Sequence, residues 1–354
     1  MMDNSATPLV FDGHNDALLK LLMAGGRAAV KGFGEGRDGH IDLPKARRGG
    51  FGGGFFAIFV RSPDEGAAYM AEMEKPAYDL PLPPPVAQAD ALPVVIEMAS
   101  LLLQLEREGM LRICRSAADI RAALDAGIMA AVMHIEGAEA IDPEFHALDV
   151  LYAAGLRSLG PVWSRPTIYG EGAPFRFPSS PDVGGGLSAH GKRLIKRCNE
   201  KRIMIDLSHL NEAGFWDVAG LSDAPLVATH SNAHAICPHA RNLTDKQLDA
   251  IAESDGMVGL NFAAAFLRAD GRMKSDSPMA TMLRHIDHLI GRLGEDRVGL
   301  GSDFDGALVP DAIGSAAGLG ALRDAMRAHG YGEALVAKLA HGNWLRVLEK
   351  TWGA

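Results

Sequence analysis

The sequence predicts a (β/α)8 barrel with loop insertions, on three observations. Eight short apolar runs end abruptly at Gly, Asp, His or Ser. Stretches with helical periodicity separate most of them, and this alternation is the mark of parallel β/α units. The 354 residues exceed the roughly 250 typical of such a barrel and fall short of two independent enzyme domains. Residues 1–354 are therefore expected to form one domain.

In chain order the expected strands are Pro8–Asp12, Gly54–Val60, Ile128–Ile135, Gly155–Pro161, Arg202–Leu207, Pro225–Thr229, Met257–Asn261 and Arg297–Gly301. Continuous apolar runs of this length, bounded by turn residues, suit strands buried on both faces. Amphipathic periodicity predicts helices over Leu92–Glu108, Ala189–Glu200, Thr244–Ser254, Met279–Leu293 and Gly332–Leu339. Ser116 and Thr244 stand where helix caps belong, with Asp119 and Gln247 three residues on. The proline-rich stretch Leu80–Pro93 suits neither regular helix nor central strand, and is expected to lie as a loop over the barrel mouth. Gly49, Gly50, Gly52, Gly53 and Gly54 precede the second strand instead of leading it into a helix, so they predict a tight bend and not a phosphate-cradling loop.

Composition removes several classes of function. The net charge is −9 and the basic residues are scattered, so no nucleic-acid partner is expected. Three well-separated cysteines, Cys114, Cys198 and Cys237, support neither a disulfide framework nor a Cys-rich zinc site. Residues Met1–Val10 lack a cationic start followed by an apolar stretch, and no other apolar run approaches the ~18 residues that cross a bilayer. The expectation is a cytoplasmic protein with no membrane partner.

The chemistry lies at the strand ends. His14 and Asp16 follow the first strand, Glu136 the third, His209 the fifth, His230 the sixth and Asp303 the eighth. In a (β/α)8 barrel these ends form the active-site face. A single histidine beside an apolar strand usually packs or faces solvent, but six ligand-type residues at one mouth point to a metal centre. His14 and Asp16, two apart on an extended segment, point to the same side and can grip one ion. Imidazoles with carboxylates and no thiolate favour zinc, with manganese and iron as alternatives. Two ions ~3.5–4 Å apart need an anionic bridge. With no lysine at a strand end to carry one, that role falls to Glu136. His134 shares its parity and is either a rival ligand or a core residue. In Gly-Ser-Asp-Phe-Asp-Gly, Asp303 is the better general base and acid, and Asp305 a turn residue or one that orients a ligand.

The segments Phe-Asp-Gly-His-Asn-Asp (11–16), His-Ile-Glu-Gly (134–137), Asp-Leu-Ser-His (206–209), Thr-His-Ser-Asn-Ala-His-Ala-Ile-Cys-Pro-His-Ala-Arg-Asn (229–242) and Gly-Ser-Asp-Phe-Asp-Gly (301–306) resemble, in order, those of the renal (membrane) dipeptidases of the amidohydrolase superfamily. The resemblance implies two Zn2+ per chain, with His14 and Asp16 on one, His209 and His230 on the other, and Glu136 between them. It implies cleavage of dipeptides by a metal-bridging hydroxide, with Asp303 handling the proton and Arg241 receiving the substrate's C-terminal carboxylate. It further suggests a homodimer and acceptance of L-Xaa-D-Xaa dipeptides. Many relatives carry a substrate-touching histidine where this chain has Trp163, and an indole cannot carry a proton at neutral pH. Arg165 either supplies positive charge there or is solvated. The secretion and lipid-anchor signals of animal relatives are lacking, which suggests a bacterial-type member. Two other readings remain: a metal-dependent amidohydrolase acting on N-acyl amino acids, lactones or esters, and a metal-binding barrel that has lost catalysis.

Overall fold

In the computed structural model, which describes residues 8–62 and 67–353, eight parallel strands form the barrel. They are β1 (Val10–Asn15), β2 (Phe51–Phe59), β3 (Ala130–Glu136), β4 (Leu156–Gly160), β5 (Met204–Ile205), β6 (Val227–Ala228), β7 (Met257–Asn261) and β8 (Val298–Gly301). Their lateral order is β5-β4-β3-β2-β1-β8-β7-β6. A parallel bridge between Asp206 and Val227, with the Leu207 N–H donating to the Val227 carbonyl at 2.8 Å, links β5 to β6 and brings the ring together. All eight expected strands are present in the expected order. Strands β5 and β6 are each only two residues long, shorter than their apolar runs.

The inside of the ring is filled by alternate residues of the strands, among them Phe11, Phe55, Val132, Met204, Val227 and Met257. Trp344, on the helix Asn343–Trp352, completes this layer: its ring lies 5.3 Å from Phe55 and its indole N–H donates to the Leu300 carbonyl at 3.0 Å. The crowding fixes Gly13, beside His14. A Cβ there would lie 2.3 Å from the Thr229 carbonyl and 2.5 Å from the Trp344 ring. Outside the strands a larger apolar cluster receives the helices, including Val95, Met98, Leu101 and Leu105 of the helix Gln88–Arg107.

Three expectations change. The glycine cluster is not a single bend: Gly50 alone adopts the left-handed conformation that ends the helix Leu43–Gly49, and Gly52–Gly54 run inside β2. Gly53 is required there because a Cβ would meet the Ala130 carbonyl at 2.0 Å. The proline-rich loop is also shorter than expected, because the helix begins at Gln88 and takes in Pro93. That proline removes one N–H from the helical ladder, and the buried apolar face beyond it outweighs the loss. Finally, this 20-residue helix is long and apolar enough to cross a membrane by length and composition, although no such stretch was expected.

From the β2–β3 insertion it is Tyr69, Met70 and Met73 that line the mouth, ahead of the stretch Leu80–Pro93 that was expected to lie over it. The insertion's strand Tyr78–Asp79 pairs antiparallel with Arg176–Phe177 from the loop after β4. The Tyr78 hydroxyl donates to the Gly271 carbonyl at 2.6 Å, and the Met273 N–H donates to the Met73 carbonyl at 2.9 Å. The two capping boxes form as expected. Ser116 accepts from the Asp119 N–H while Asp119 accepts from the Ser116 N–H, and Thr244 and Gln247 do the same.

Candidate active site

Each of the six ligand-type residues stands at the C-terminal end of its strand. Asp16 is the N-cap residue of the helix Ala17–Met23, yet its side chain accepts no capping hydrogen bond. An aspartate there ordinarily turns to the helix N–H groups; this one turns to His14, whose Nε2 lies 3.3 Å from its Oδ2. Glu136 closes β3, and its Oε1 is 3.0 Å from His209 Nε2, 3.4 Å from His230 Nε2 and 3.7 Å from His14 Nε2. His209 and Asp303 hold left-handed backbone, with φ of 69° and 58°. Such strain in non-glycine residues gathers where side-chain direction matters more than backbone comfort.

The donor set fits metal ions. His14, Asp16 and Asp303 offer ligand atoms within 4.8 Å of one another, as do Glu136, His209 and His230. His14 is buried, and neither of its ring nitrogens has a hydrogen-bond partner among the described residues. Nε2 of His209 and Nε2 of His230 lie only 3.1 Å apart. Their outer nitrogens are held by hydroxyls: His209 Nδ1 is 2.9 Å from Ser164 Oγ, and His230 Nδ1 is 2.8 Å from Thr229 Oγ1.

One tautomer follows from the bonding. Asp206, when ionised, can only accept, and it takes the Thr229 N–H at 2.9 Å and the Thr229 hydroxyl proton at 2.5 Å. The Thr229 oxygen must then accept from His230 Nδ1–H, which leaves the His230 Nε2 lone pair facing Glu136. Outer-sphere bonds of this kind orient metal ligands. The sequence reading missed Asp206, Thr229 and Ser164 as parts of the site. Its available signals were the Asp three residues before His209 and the Thr adjoining His230.

Burial sets the electrostatics. His209 and His230 are pushed well below the ordinary imidazole value by burial, and Arg241 and the neighbouring histidines push the same way. Neutral imidazoles are what a metal requires. Burial also opposes charge on His14, but Glu136, Asp16 and Asp303 outweigh it and raise His14 to about 10. The same crowding, with burial as the larger cause, raises Glu136 and Asp303 above ordinary carboxyl values. Crowded carboxylates of this kind repel one another, and bound cations would relieve that repulsion.

Arg241, on the loop after β6, is buried and held at about 10, with burial opposed by Asp303 and Glu136. Among the described residues its Nε has no partner, its Nη2 reaches the His230 carbonyl only at 3.5 Å, and its Cζ lies 5.5 Å from the Phe266 ring centre. Trp163 stands in the wall of a cavity of about 300 Å3 together with Glu136, His209, Asp303 and Phe266. Its ring is 5.0 Å from Phe59 and 5.7 Å from His209.

Three other residues settle differently. His134 is buried inside β3, with Nδ1 2.8 Å from Ser158 Oγ and Nε2 3.6 Å from Asp206; burial lowers it to about 3. Asp305 accepts from the Arg37 guanidinium and the His40 N–H, both at 2.6 Å, and so ties the 37–40 segment to the end of β8. Arg165 neither faces solvent nor offers a free charge. It is fully buried, bound to Glu139 at 2.7 Å and to the Val60 carbonyl and Ser62 hydroxyl at 2.6 Å.

A parallel barrel whose mouth gathers three histidines and three carboxylates, with an arginine beside them, defines a metal-dependent barrel hydrolase. The family model for membrane dipeptidases, peptidase family M19, matches residues 5–352, and the chain belongs to this family of metallo-dipeptidases. It is 56% identical to a metallopeptidase from Rhodobacter sphaeroides solved with a phosphinate mimic of the dipeptide L-Ala-D-Ala, with a TM-score of 0.96 over 98% of this chain and 100% of that one. An uncharacterized protein in the pqqA 5′ region of Klebsiella pneumoniae is 51% identical over 265 residues, covering 74% of this chain and 98% of that protein. The probable dipeptidase PvdM from Pseudomonas aeruginosa shares the fold, with a TM-score of 0.82 at 23% identity, covering 98% and 96% of the two chains.

Proposed function

We propose that this chain is a dizinc dipeptidase that hydrolyses free dipeptides, L-Xaa-D-Xaa among them. The observation that carries the reading is Arg241. It is a buried guanidinium whose Nε has no partner among the described residues, set beside Glu136 and Asp303 at the mouth of the ligand cluster. A guanidinium left without a carboxylate of its own in such a place is suited to take one from a ligand. With the substrate's C-terminal carboxylate on Arg241 and its scissile carbonyl at Glu136 and the histidines, little chain fits between them, which selects dipeptides. Acceptance of L,D dipeptides is supported by the L-Ala-D-Ala mimic held by the Rhodobacter sphaeroides relative.

In this reading His14 and Asp16 would hold one ion, His209 and His230 the other, and Glu136 would be shared between them. Bound zinc ions would polarise the scissile carbonyl and acidify the attacking water. Asp303 takes the proton from that water and returns it to the leaving amine. Asn261 donates to Asp303 Oδ2 at 3.0 Å, which fixes the carboxyl and leaves its other oxygen for the proton. Trp163 shapes the pocket beside His209 and excludes water without transferring protons.

Arg241→Ala tests the reading. Its kcat/KM for a dipeptide should fall by about two to three orders of magnitude, as expected for a lost charge-assisted pair. Cleavage of the corresponding dipeptide amide should change little. An equal loss on both substrates would remove the carboxylate-reading role and favour an ester, lactone or N-acyl substrate.

A further inference from the structure

His239 lies in the long motif 229–242, yet neither the metal centre nor the proton path uses it. We infer that it is a positioning residue for substrate recognition, one that sets the aim of Arg241 from below. The inference rests on the reading of Arg241 as the carboxylate receptor.

Among the described residues the guanidinium has little to hold it: one long contact to the His230 carbonyl and no partner at Nε. Its direction must come from its backbone and from the surface beneath it, and the His239 ring fixes both. His239 Nδ1 accepts the Arg241 N–H at 3.0 Å, so the backbone of the reader hangs on this imidazole. The same ring packs 4.6 Å from Phe266, the aromatic face that lies under the Arg241 guanidinium. Tyr78 at 5.8 Å and Phe177 at 6.4 Å hold the ring in turn, so the insertion lining the mouth and the arginine share one support.

Because Nδ1 accepts, the neutral ring carries its proton on Nε2, and that atom is buried with no hydrogen-bond partner among the described residues. Leaving a buried donor unpaired is destabilising. A phenyl ring would fill the same aromatic nest without that cost, so stability alone does not call for histidine here. What histidine adds is the acceptor at Nδ1.

The test compares His239→Phe with His239→Asn. Phenylalanine keeps the packing and loses the acceptor, whereas asparagine keeps an acceptor oxygen near the position of Nδ1. Each variant is purified in the metal-loaded form and its metal content and thermal midpoint are recorded. KM and kcat are then measured on a dipeptide and on its C-terminal amide. We expect H239F to raise KM for the dipeptide about tenfold or more with kcat within about twofold, to leave the amide unchanged and to bind metal fully. H239N should recover most of the affinity. The inference fails if H239F leaves the dipeptide KM unaltered, if dipeptide and amide suffer equally, or if H239N is as impaired as H239F. Arg241→Ala on the same two substrates separates the failures. If it discriminates and H239F does not, only the positioning role is lost; if it does not, the carboxylate reading itself falls.

Discussion

Thr229 stands between Asp206 and His230, and its bonding leaves His230 with the proton on Nδ1 and a lone pair on Nε2. Valine would keep the volume and remove that choice. Thr229→Val should therefore weaken metal binding by about 10–100-fold, read as the chelator concentration at which metal is lost. A variant that holds metal as firmly as the wild type would contradict the orienting role. This contact was not legible in the sequence, because nothing in the order of residues says that Asp206 reaches across to the neighbouring strand's Thr229. His14, Asp16, Glu136, His209, His230 and Asp303 were legible, because strand ends are local features and the barrel fixes where they meet.

His285 supplies a pH dependence away from the metal centre. Its Nδ1 accepts the Ala233 N–H at 3.2 Å and its Nε2 donates to the Leu267 carbonyl at 2.9 Å, so the native state needs the neutral ring. Burial lowers it to about 4 from an ordinary 6.5, with Arg284 and His288 adding to the effect. Above pH 6.5 the ring is neutral in both states and its contribution to stability is fully present. Below 6.5 the unfolded chain binds a proton that the folded chain refuses, so stability falls until about pH 4, where both are protonated. The loss is on the order of 3 kcal/mol. His285→Gln should flatten that part of the stability–pH curve in denaturant titrations at pH 7 and pH 4.5; an unchanged difference between the two pH values would refute it.

At the scale of elements, the strands were readable because eight apolar runs end at polar residues, and the two capping boxes because all their partners lie within four residues. The strap was not readable. Tyr78–Asp79 and Arg176–Phe177 are two-residue strands that exist only because distant loops meet. The role of the helix Asn343–Trp352 was hidden for the same reason, since a tryptophan that completes a barrel interior looks like any other apolar residue on a helix. Trp344→Ala would empty the space between Phe55 and Gly13, costing about 3–5 kcal/mol. Because Gly13 adjoins His14, the variant should also bind metal less well. Chemical unfolding beside metal analysis checks both, and a loss below about 1 kcal/mol would show that the ring does not depend on this side chain.

For the whole molecule, the barrel brings ligand atoms from five strand ends to one mouth, the loop after β6 adds a buried cation, and the β2–β3 insertion lines the cavity. Family membership establishes a metallo-dipeptidase; the two ions and the free dipeptide are our proposal, motivated by the clustered ligand groups and Arg241. The most direct test strips the protein with chelator, returns zinc stepwise and follows hydrolysis of L-Ala-D-Ala against bound metal. No cleavage is expected without metal, and the rate should rise to its plateau at two zinc ions per chain. A full rate in the stripped protein, or a plateau at one ion, would contradict the proposal.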